Sequence, residues 1–216
     1  FFFFFDDLNI FIEKKFVAMR QAVVIPGSGI DYDYFAPQPQ KRTDGQFVFL
    51  FISRLIKDKG ILEYVEASKH LMKINPGLVC QVLGPYYSQN LKENIITEKQ
   101  IMHWLDEGVV KYLGAADDVR PFIAEADCIV LPSYREGMSN VLLEAGSMQK
   151  PTITTDTTGC KDIVQHNMTG YLCKVKDAED LQQKMQQMIN LSAAERKEMG
   201  IKARELVKGK FAKQIV

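Results

Sequence analysis

The stretch 132–146 carries two carboxylates around a predicted junction of strand, turn and helix. The apolar run 128–131 is typical of a buried strand, and Ser139 and Asn140 are favourable N-cap residues for the apolar helix that follows. A helix that begins just past a strand end presents unpaired backbone N–H groups and the positive end of its dipole, which suit a phosphate. Glu136 precedes this turn and Glu144 lies inside the helix. Since carboxylates repel phosphate, we expect both to accept hydrogen bonds from hydroxyl groups on either side of one.

The elements that must position these residues alternate between strand and helix from residue 46 onward. This is typical of an α/β, Rossmann-like, doubly wound parallel sheet, here of six strands. The predicted strands are 47–52, 78–83, 109–114, 128–131, 151–155 and 170–175, and the predicted helices are 60–74, 91–105, 119–126, 178–191 and 192–208. A helix at 6–20 and a strand at 22–25 precede them. Ser192 and Glu195 form a capping box that predicts the start of the last helix.

In the usual order of such a sheet the first and fourth strands are neighbours, and ligands bind outside the carboxyl ends of the strands at that point. Arg54 and Lys59 follow the first strand, while 133–144 follows the fourth. We therefore expect the two segments to meet in one crevice that holds two cations, a helix N-terminus and acidic residues at its edge. A diphosphate that joins two hydroxyl-rich groups, as in a nucleotide sugar, would match all of them.

Ordinary structural roles remain open for each of these residues. Arg54 and Lys59 could be solvated positions at a helix start, although the helix dipole disfavours cations there unless an anion is near. Glu136 by itself is typical of a surface carboxylate. Glu144 lies among apolar neighbours, where an unpaired carboxylate is costly.

Composition argues against several classes of function. Lys and Arg total 27, as do Asp and Glu, so the formal net charge is zero and a general nucleic-acid or polybasic membrane surface is not expected. The four cysteines form no CxxC pair and predict reduced core thiols. The three histidines lack metal-binding spacing, and 27–29 (Gly-Ser-Gly) has no third glycine for a dinucleotide fingerprint. We therefore expect neither a bound metal nor another cofactor.

Several motifs together resemble the retaining glycosyltransferases of the GT-B fold, in particular the nucleotide-sugar-binding half of their family-4 group. Glu136 to Glu144 matches the E-x7-E motif, and 53–60 is similar to the G-R-L-x-x-x-K-G segment with Ser in the first Gly position. Residues 25–31 look like the interdomain hinge of that group, and 109–114 look like its V-x-(F/Y)-L-G strand. The resemblance covers roughly residues 6 to 211. Residues 31–33, Asp-Tyr-Asp, superficially match a metal motif of some sugar transferases, but the preceding Pro/Gly turn favours a solvated turn.

The resemblance implies a role for each matched position. Arg54 and Lys59 would neutralise the donor diphosphate, and the backbone N–H groups of Met138 and Ser139 would hold its phosphate oxygens. Glu136 would contact hydroxyl groups of the donor sugar.

The same resemblance assigns the nucleoside. Glu144 would contact the ribose, and the strand edge at Val110 and Lys111, together with the turn at Gly84, would seat the base. The implied catalytic residues are Glu136, Arg54 and Lys59. The implied donor-binding residues are Arg54, Lys59, Gly84, Val110, Lys111, Ser133, Glu136, Gly137, Met138, Ser139, Asn140 and Glu144. Members of the family retain anomeric configuration and need no metal, which fits charge stabilisation by Arg, Lys and a helix end.

The resemblance also divides the chain. We expect residues 1–25 to be a remnant of an amino-terminal acceptor domain with its hinge, 26–208 to be the donor-binding domain, and 209–216 to begin a truncated crossover segment. The five leading phenylalanines lack the basic region and cleavage site of a signal peptide and are expected to mark a chain cut from something longer.

The expected function is donor binding in a retaining hexosyltransferase of surface polysaccharide biosynthesis, with a UDP-hexose as donor and a glycan or lipid-linked molecule as acceptor. The full-length protein is expected to be cytoplasmic, with peripheral association at the inner membrane face left open, and this chain alone is expected to be inactive in transfer. Two alternatives remain: a synthase of sucrose or glycogen type, and a nucleotide-binding module without transfer chemistry.

Overall fold

The computed structural model describes residues 12–16, 29–86 and 94–215, together with the backbone of β1 (Phe2–Phe3) and β2 (Val23–Val24), which pair in parallel. The main sheet has six parallel strands in the spatial order β5-β4-β3-β6-β7-β8. Its strands are β3 (Phe47–Ile52), β4 (Leu78–Leu83), β5 (Lys111–Tyr112), β6 (Cys128–Leu131), β7 (Thr152–Thr155) and β8 (Gly170–Cys173). The predicted fold class and strand order are confirmed.

The described part of the chain contains one 3-10 turn and six fully described α-helices, of which the first four lie between strands of the main sheet and the last two follow β8. The 3-10 turn is Lys57–Lys59, and the helices are α1 (Ile61–Ile74), α2 (Glu98–Asp106), α3 (Arg120–Glu125), α4 (Asn140–Ser147), α5 (Ala178–Asn190) and α6 (Ala193–Lys210). Ser192 and Glu195 form the predicted capping box at the start of α6.

Helices cover both faces of the sheet, so the alternate side chains of a central strand enter two different cores. On β3, Phe49 and Phe51 join one buried cluster, while Val48, Leu50 and Ile52 join the other. A strand that is buried on both faces reads as a continuous apolar run, as β3 and β6 do. All four cysteines are buried and unbridged, as predicted.

The structure corrects three predicted boundaries. In the described part of the helix predicted at 6–20, residues 14–16 form a turn and a bend, and Lys15 has a φ of +56°, which a helix interior does not adopt. The helix predicted at 91–105 begins only at Glu98, because Thr97 caps it and Ile95 bridges Ile56; residues 91–93 lie outside the described residues. The strand predicted at 109–114 is reduced to Lys111–Tyr112 at the sheet edge.

The segment before β3 is exposed but anchored, which its polar composition did not indicate. Arg42 donates to an Asp127 carboxylate oxygen at 2.7 Å and to the Glu125 carbonyl oxygen at 2.9 Å. Residues 31–33 form the predicted solvated turn, in which Asp31 Oδ1 accepts from the Tyr34 N–H at 2.9 Å.

Within the described residues, no helix is both long and apolar enough to cross a membrane.

Candidate functional site

The loop after β3 lies directly against the loop after β6. Because β3 pairs with β6 in register from Phe49 opposite Cys128, the carboxyl ends of the two strands point the same way. Gly60, which ends the 3-10 turn with a φ of +74°, packs so closely that an added Cβ would lie 2.0 Å from the Pro132 carbonyl oxygen. Only glycine combines that conformation with that approach. The two segments predicted to converge are therefore in contact.

Hydrogen bonds join the same two loops. The Asp58 carbonyl oxygen accepts from the Tyr134 N–H at 2.8 Å and from the Ser133 hydroxyl at 3.2 Å. Ser133 is fully buried, so its side chain holds the two loops together and is not available to a ligand.

Lys59 and Glu136 form an ion pair between the two loops. The Lys59 Nζ to Glu136 Oε1 distance is 2.7 Å, and the two side chains retain only 16% and 11% of their solvent exposure. In this structure the two residues neutralise each other. Any anion that draws Lys59 away must therefore compete with Glu136 or release it.

Arg54 is an exposed cation in the same loop as Lys59. Its backbone lies two residues beyond the end of β3, and its side chain forms no ion pair or hydrogen bond with any residue that the structure describes. An unpaired guanidinium at the mouth of a crevice is available to a phosphate as a bidentate donor.

The N-terminus of α4 completes the positive side of the crevice. Ser139 is the N-cap, and its hydroxyl accepts from the Leu142 N–H at 3.4 Å, a long capping bond. Met138 and Asn140 flank the cap, and Gly137 is exposed just before it. The backbone N–H groups of this turn thus lie beside the Lys59–Glu136 pair, at the positive end of the helix dipole.

Glu144 lies one turn inside α4, mostly buried between Leu143 and Ala145. Its carboxyl group has no hydrogen-bond partner among the described residues. Burial raises the pKa of Glu144 from its ordinary value of 4.5 to about 7. A carboxyl group that is held in this way at the edge of a crevice is a candidate acceptor for ligand hydroxyl groups.

The predicted base-binding residues lie on the β4–β5 side of the sheet: Gly84 follows the carboxyl end of β4, whereas Lys111 begins β5 opposite Gln81, two residues before that end. Gly84 has a φ of +146° and packs on Ser53, since an added Cβ would be 1.8 Å from the Ser53 carbonyl oxygen. The side chain of Val110 is buried, so this residue could offer only its backbone, whereas Lys111 is exposed. The Tyr112 hydroxyl, which sequence reasoning missed, donates to the Gly84 carbonyl oxygen at 2.9 Å.

Sequence reasoning also missed Tyr134 and Glu63. The Tyr134 hydroxyl donates to Glu63 Oε1 at 2.7 Å, which ties the loop after β6 to the first turn of α1. Burial, and then the Glu63 carboxylate, raise the pKa of Tyr134 well above its ordinary value. No local pattern predicts this contact, because the two residues are 71 positions apart.

Where the structure describes the chain, no group of three or more His, Cys, Asp or Glu side chains could hold a metal ion.

A family model described as "Glycosyl transferases group 1" matches residues 35–206. The chain belongs to this family. The match includes both loops of the crevice and the whole main sheet.

The relatives of this glycosyltransferase domain include enzymes of surface glycan synthesis. The capsular polysaccharide biosynthesis glycosyltransferase CapM of Staphylococcus aureus is 28% identical over 87% of this chain and 48% of its own length. A UDP-Gal:alpha-D-GlcNAc-diphosphoundecaprenol alpha-1,3-galactosyltransferase of Escherichia coli is 30% identical over 81% of this chain and 46% of its own length. The chain thus spans about half the length of the curated relatives it matches.

A solved structure confirms the fold of the domain. The crystal structure of HepE from Anabaena, in complex with UDP and glucose, superposes with a TM-score of 0.81 at 20% identity, covering 99% of this chain and 59% of that one. At this identity the likeness shows the fold alone.

Proposed function

We propose that this chain is the donor-binding domain of a retaining hexosyltransferase, with a UDP-hexose as donor and a glycan or lipid-linked acceptor in surface polysaccharide biosynthesis. The observation that carries the proposal is the meeting of Arg54, Lys59, Glu136 and the α4 N-terminus at the carboxyl ends of β3 and β6. The E. coli relative supports the donor class by its name, which specifies UDP-galactose.

The proposed donor would extend across the sheet from β5 to β3. β5 lies two strands from β3, so at about 4.8 Å between neighbouring strands the proposed base seat and the proposed diphosphate seat are offset laterally by about 10 Å, in addition to their offset along the strands. The base would lie at Val110 and Lys111 beside Gly84, and the ribose hydroxyl groups would reach Glu144. The diphosphate would lie between Arg54, Lys59 and the amides of 137–139, leaving the sugar beside Glu136.

The proposed chemistry needs positive charge where the departing diphosphate becomes more negative. Arg54 and the α4 N-terminus would supply that charge, and Lys59 would add to it once the diphosphate competes with Glu136 for its ammonium group. We propose that no metal ion takes part. The acceptor would be held by a further domain, and transfer would need both domains to close over the donor and exclude water. The location proposed for the whole enzyme is cytoplasmic, peripheral to the membrane that carries the acceptor.

Titrating UDP, GDP and ADP calorimetrically against this chain tests the donor assignment. We expect UDP to bind most tightly, with an affinity that EDTA does not change. Equal and weak binding of all three would contradict the assignment of the donor site. Loss of UDP binding on chelation would contradict the proposed independence of metal and leave the crevice itself standing.

A further inference from the structure

The turn after β7 packs against the backbone that carries Glu136. Gly159 has a φ of +80°, and an added Cβ would lie 2.5 Å from the Glu136 carbonyl oxygen and 2.5 Å from the Gly137 carbonyl oxygen. Real Cβ atoms do not approach so closely, so even an alanine at this position must displace the 136–137 peptide. The observed position of the 136–137 peptide therefore requires glycine at position 159.

Gly159 is itself held in place by its own turn. The Asp162 Oδ2 atom accepts from the Gly159 N–H at 2.8 Å, and the Cys160 N–H donates to the Thr157 carbonyl oxygen at 3.1 Å. Because these bonds fix the turn, we expect a clash at Gly159 to be relieved by movement of the 136–137 peptide rather than by movement of the turn.

A second contact supports the same segment from the end of β7. Thr155 is fully buried, and its hydroxyl donates to the Ser133 carbonyl oxygen, three residues before Glu136. Thr155 and Gly159 thus contact the 133–137 segment at both of its ends. On the opposite side, Lys59 holds the Glu136 carboxylate at 2.7 Å.

We propose that Gly159, together with Thr155, is a positioning residue for Glu136. The turn after β7 sets the place of the 136–137 peptide and so determines whether the Glu136 carboxylate reaches Lys59. The consequence for the donor sugar rests on the proposed function above. The consequence for the ion pair needs no ligand, so the two can be tested apart.

The ligand-free test is a double-mutant cycle of Lys59→Met and Glu136→Gln, followed by urea denaturation. Each substitution changes the unfolding equilibrium constant by some factor. In the otherwise unchanged protein we expect the factor for the double variant to differ at least about fivefold from the product of the two single factors, as for residues in direct contact. The cycle is repeated with Gly159→Ala and with Gly77→Ala. Gly77 is the matched control, since its φ is +86° and an added Cβ there meets nothing within 4 Å.

We expect the coupling to persist with Gly77→Ala and to disappear with Gly159→Ala. A merely structural role of Gly159 would lower stability and leave the coupling unchanged, and that result would overturn the inference. If Gly159→Ala does not fold, the cycle is run with Thr155→Val, where we expect weakened coupling, and with Thr155→Ser, which keeps the hydroxyl and should restore it. Equal coupling in Thr155→Val and Thr155→Ser would likewise overturn it.

The ligand test compares the affinities of UDP-glucose and UDP by calorimetry. Their ratio cancels any effect on the phosphate-binding amides, which both ligands share. We expect Gly159→Ala to lower the ratio of the UDP-glucose affinity to the UDP affinity at least about threefold. In the Glu136→Gln background the same substitution should leave this ratio unchanged, because the effects of two coupled residues on binding are not additive. If Glu136→Gln alone leaves the ratio unchanged, the proposed sugar contact of Glu136 fails, while the ligand-free cycle still decides the positioning role.

Discussion

Glu144 is the residue whose replacement tests both the stability of the fold and the proposed site. Glu144→Gln keeps the shape of the side chain and removes its charge. Burial has raised the pKa of this carboxyl group from 4.5 to about 7. Between pH 4.5 and pH 7, the carboxyl group is therefore mostly protonated in the folded protein and mostly ionised in the unfolded chain. Neutral glutamine should therefore be tolerated better than the carboxylate.

The sign and size of the effect follow from proton linkage. A raised folded-state pKa stabilises the protein below the unfolded value of 4.5, and this stabilisation is lost as the pH rises through about 7. The pKa difference of roughly 2.5, at about 1.4 kcal/mol for each pH step, sets an upper limit of about 3.5 kcal/mol. Some remaining solvent contact makes the true value smaller. We expect Glu144→Gln to be more stable than wild type at pH 8 by up to about this amount, with little difference at pH 4.5.

The assay is urea denaturation at several pH values from 4.5 to 8. Glu205→Gln is the control, because it removes a carboxylate from an exposed position of α6. Equal pH dependence in wild type and Glu144→Gln would refute the reasoning.

UDP binding should be coupled to the ionisation of Glu144. Ribose hydroxyl groups that donate to Glu144 favour its ionised form, so UDP binding at pH 7 should release part of a proton and should weaken as the pH falls below 7. Calorimetry in two buffers with different ionisation enthalpies measures this release. Absence of a difference between wild type and Glu144→Gln would remove the ribose assignment without affecting the stability argument.

Three further replacements have distinct expected outcomes. Arg54→Ala should weaken UDP binding by about 1.5–3 kcal/mol, the range for a hydrogen bond to a charged group, and should leave uridine binding unchanged. Lys73→Ala, at the far end of α1, is the charge-matched control, and equal UDP affinity in both variants would place the diphosphate elsewhere. Glu136→Gln should tighten UDP binding in calorimetry, because Lys59 is no longer paired; unchanged or weaker binding would mean that the pair does not compete with the ligand. Ser192→Ala should destabilise the fold by about 1 kcal/mol in urea denaturation through loss of the α6 cap, and no change would show that Glu195 alone suffices there.

The predicted central strands of the main sheet rest on local signals, whereas their confirmed order was taken from the usual order of such sheets. The runs 47–52 and 128–131 are apolar throughout, and the connections between successive strands are long enough for parallel crossovers. The predicted edge strand at 109–114 was too long, because an edge strand has a partner on one side only and its end depends on where that partner turns away. Before β5, the Val109 N–H donates to the Trp104 carbonyl oxygen of α2 at 3.0 Å, and beyond β5 the Gly84 N–H still donates to the Gly114 carbonyl oxygen at 2.8 Å.

By itself, the sequence determined which residues follow which strand, and hence that Arg54, Lys59 and 133–144 share one end of the sheet. Apolar periodicity and capping residues encode such placements within short windows of the chain. Only the tertiary structure decided that Lys59 pairs with Glu136 and that burial raises the pKa of Glu144. It also decided that the turn at Gly159 touches the 136–137 peptide. These features depend on distances of a few ångström between segments far apart in the chain, which are set by how helices and loops pack on the finished sheet.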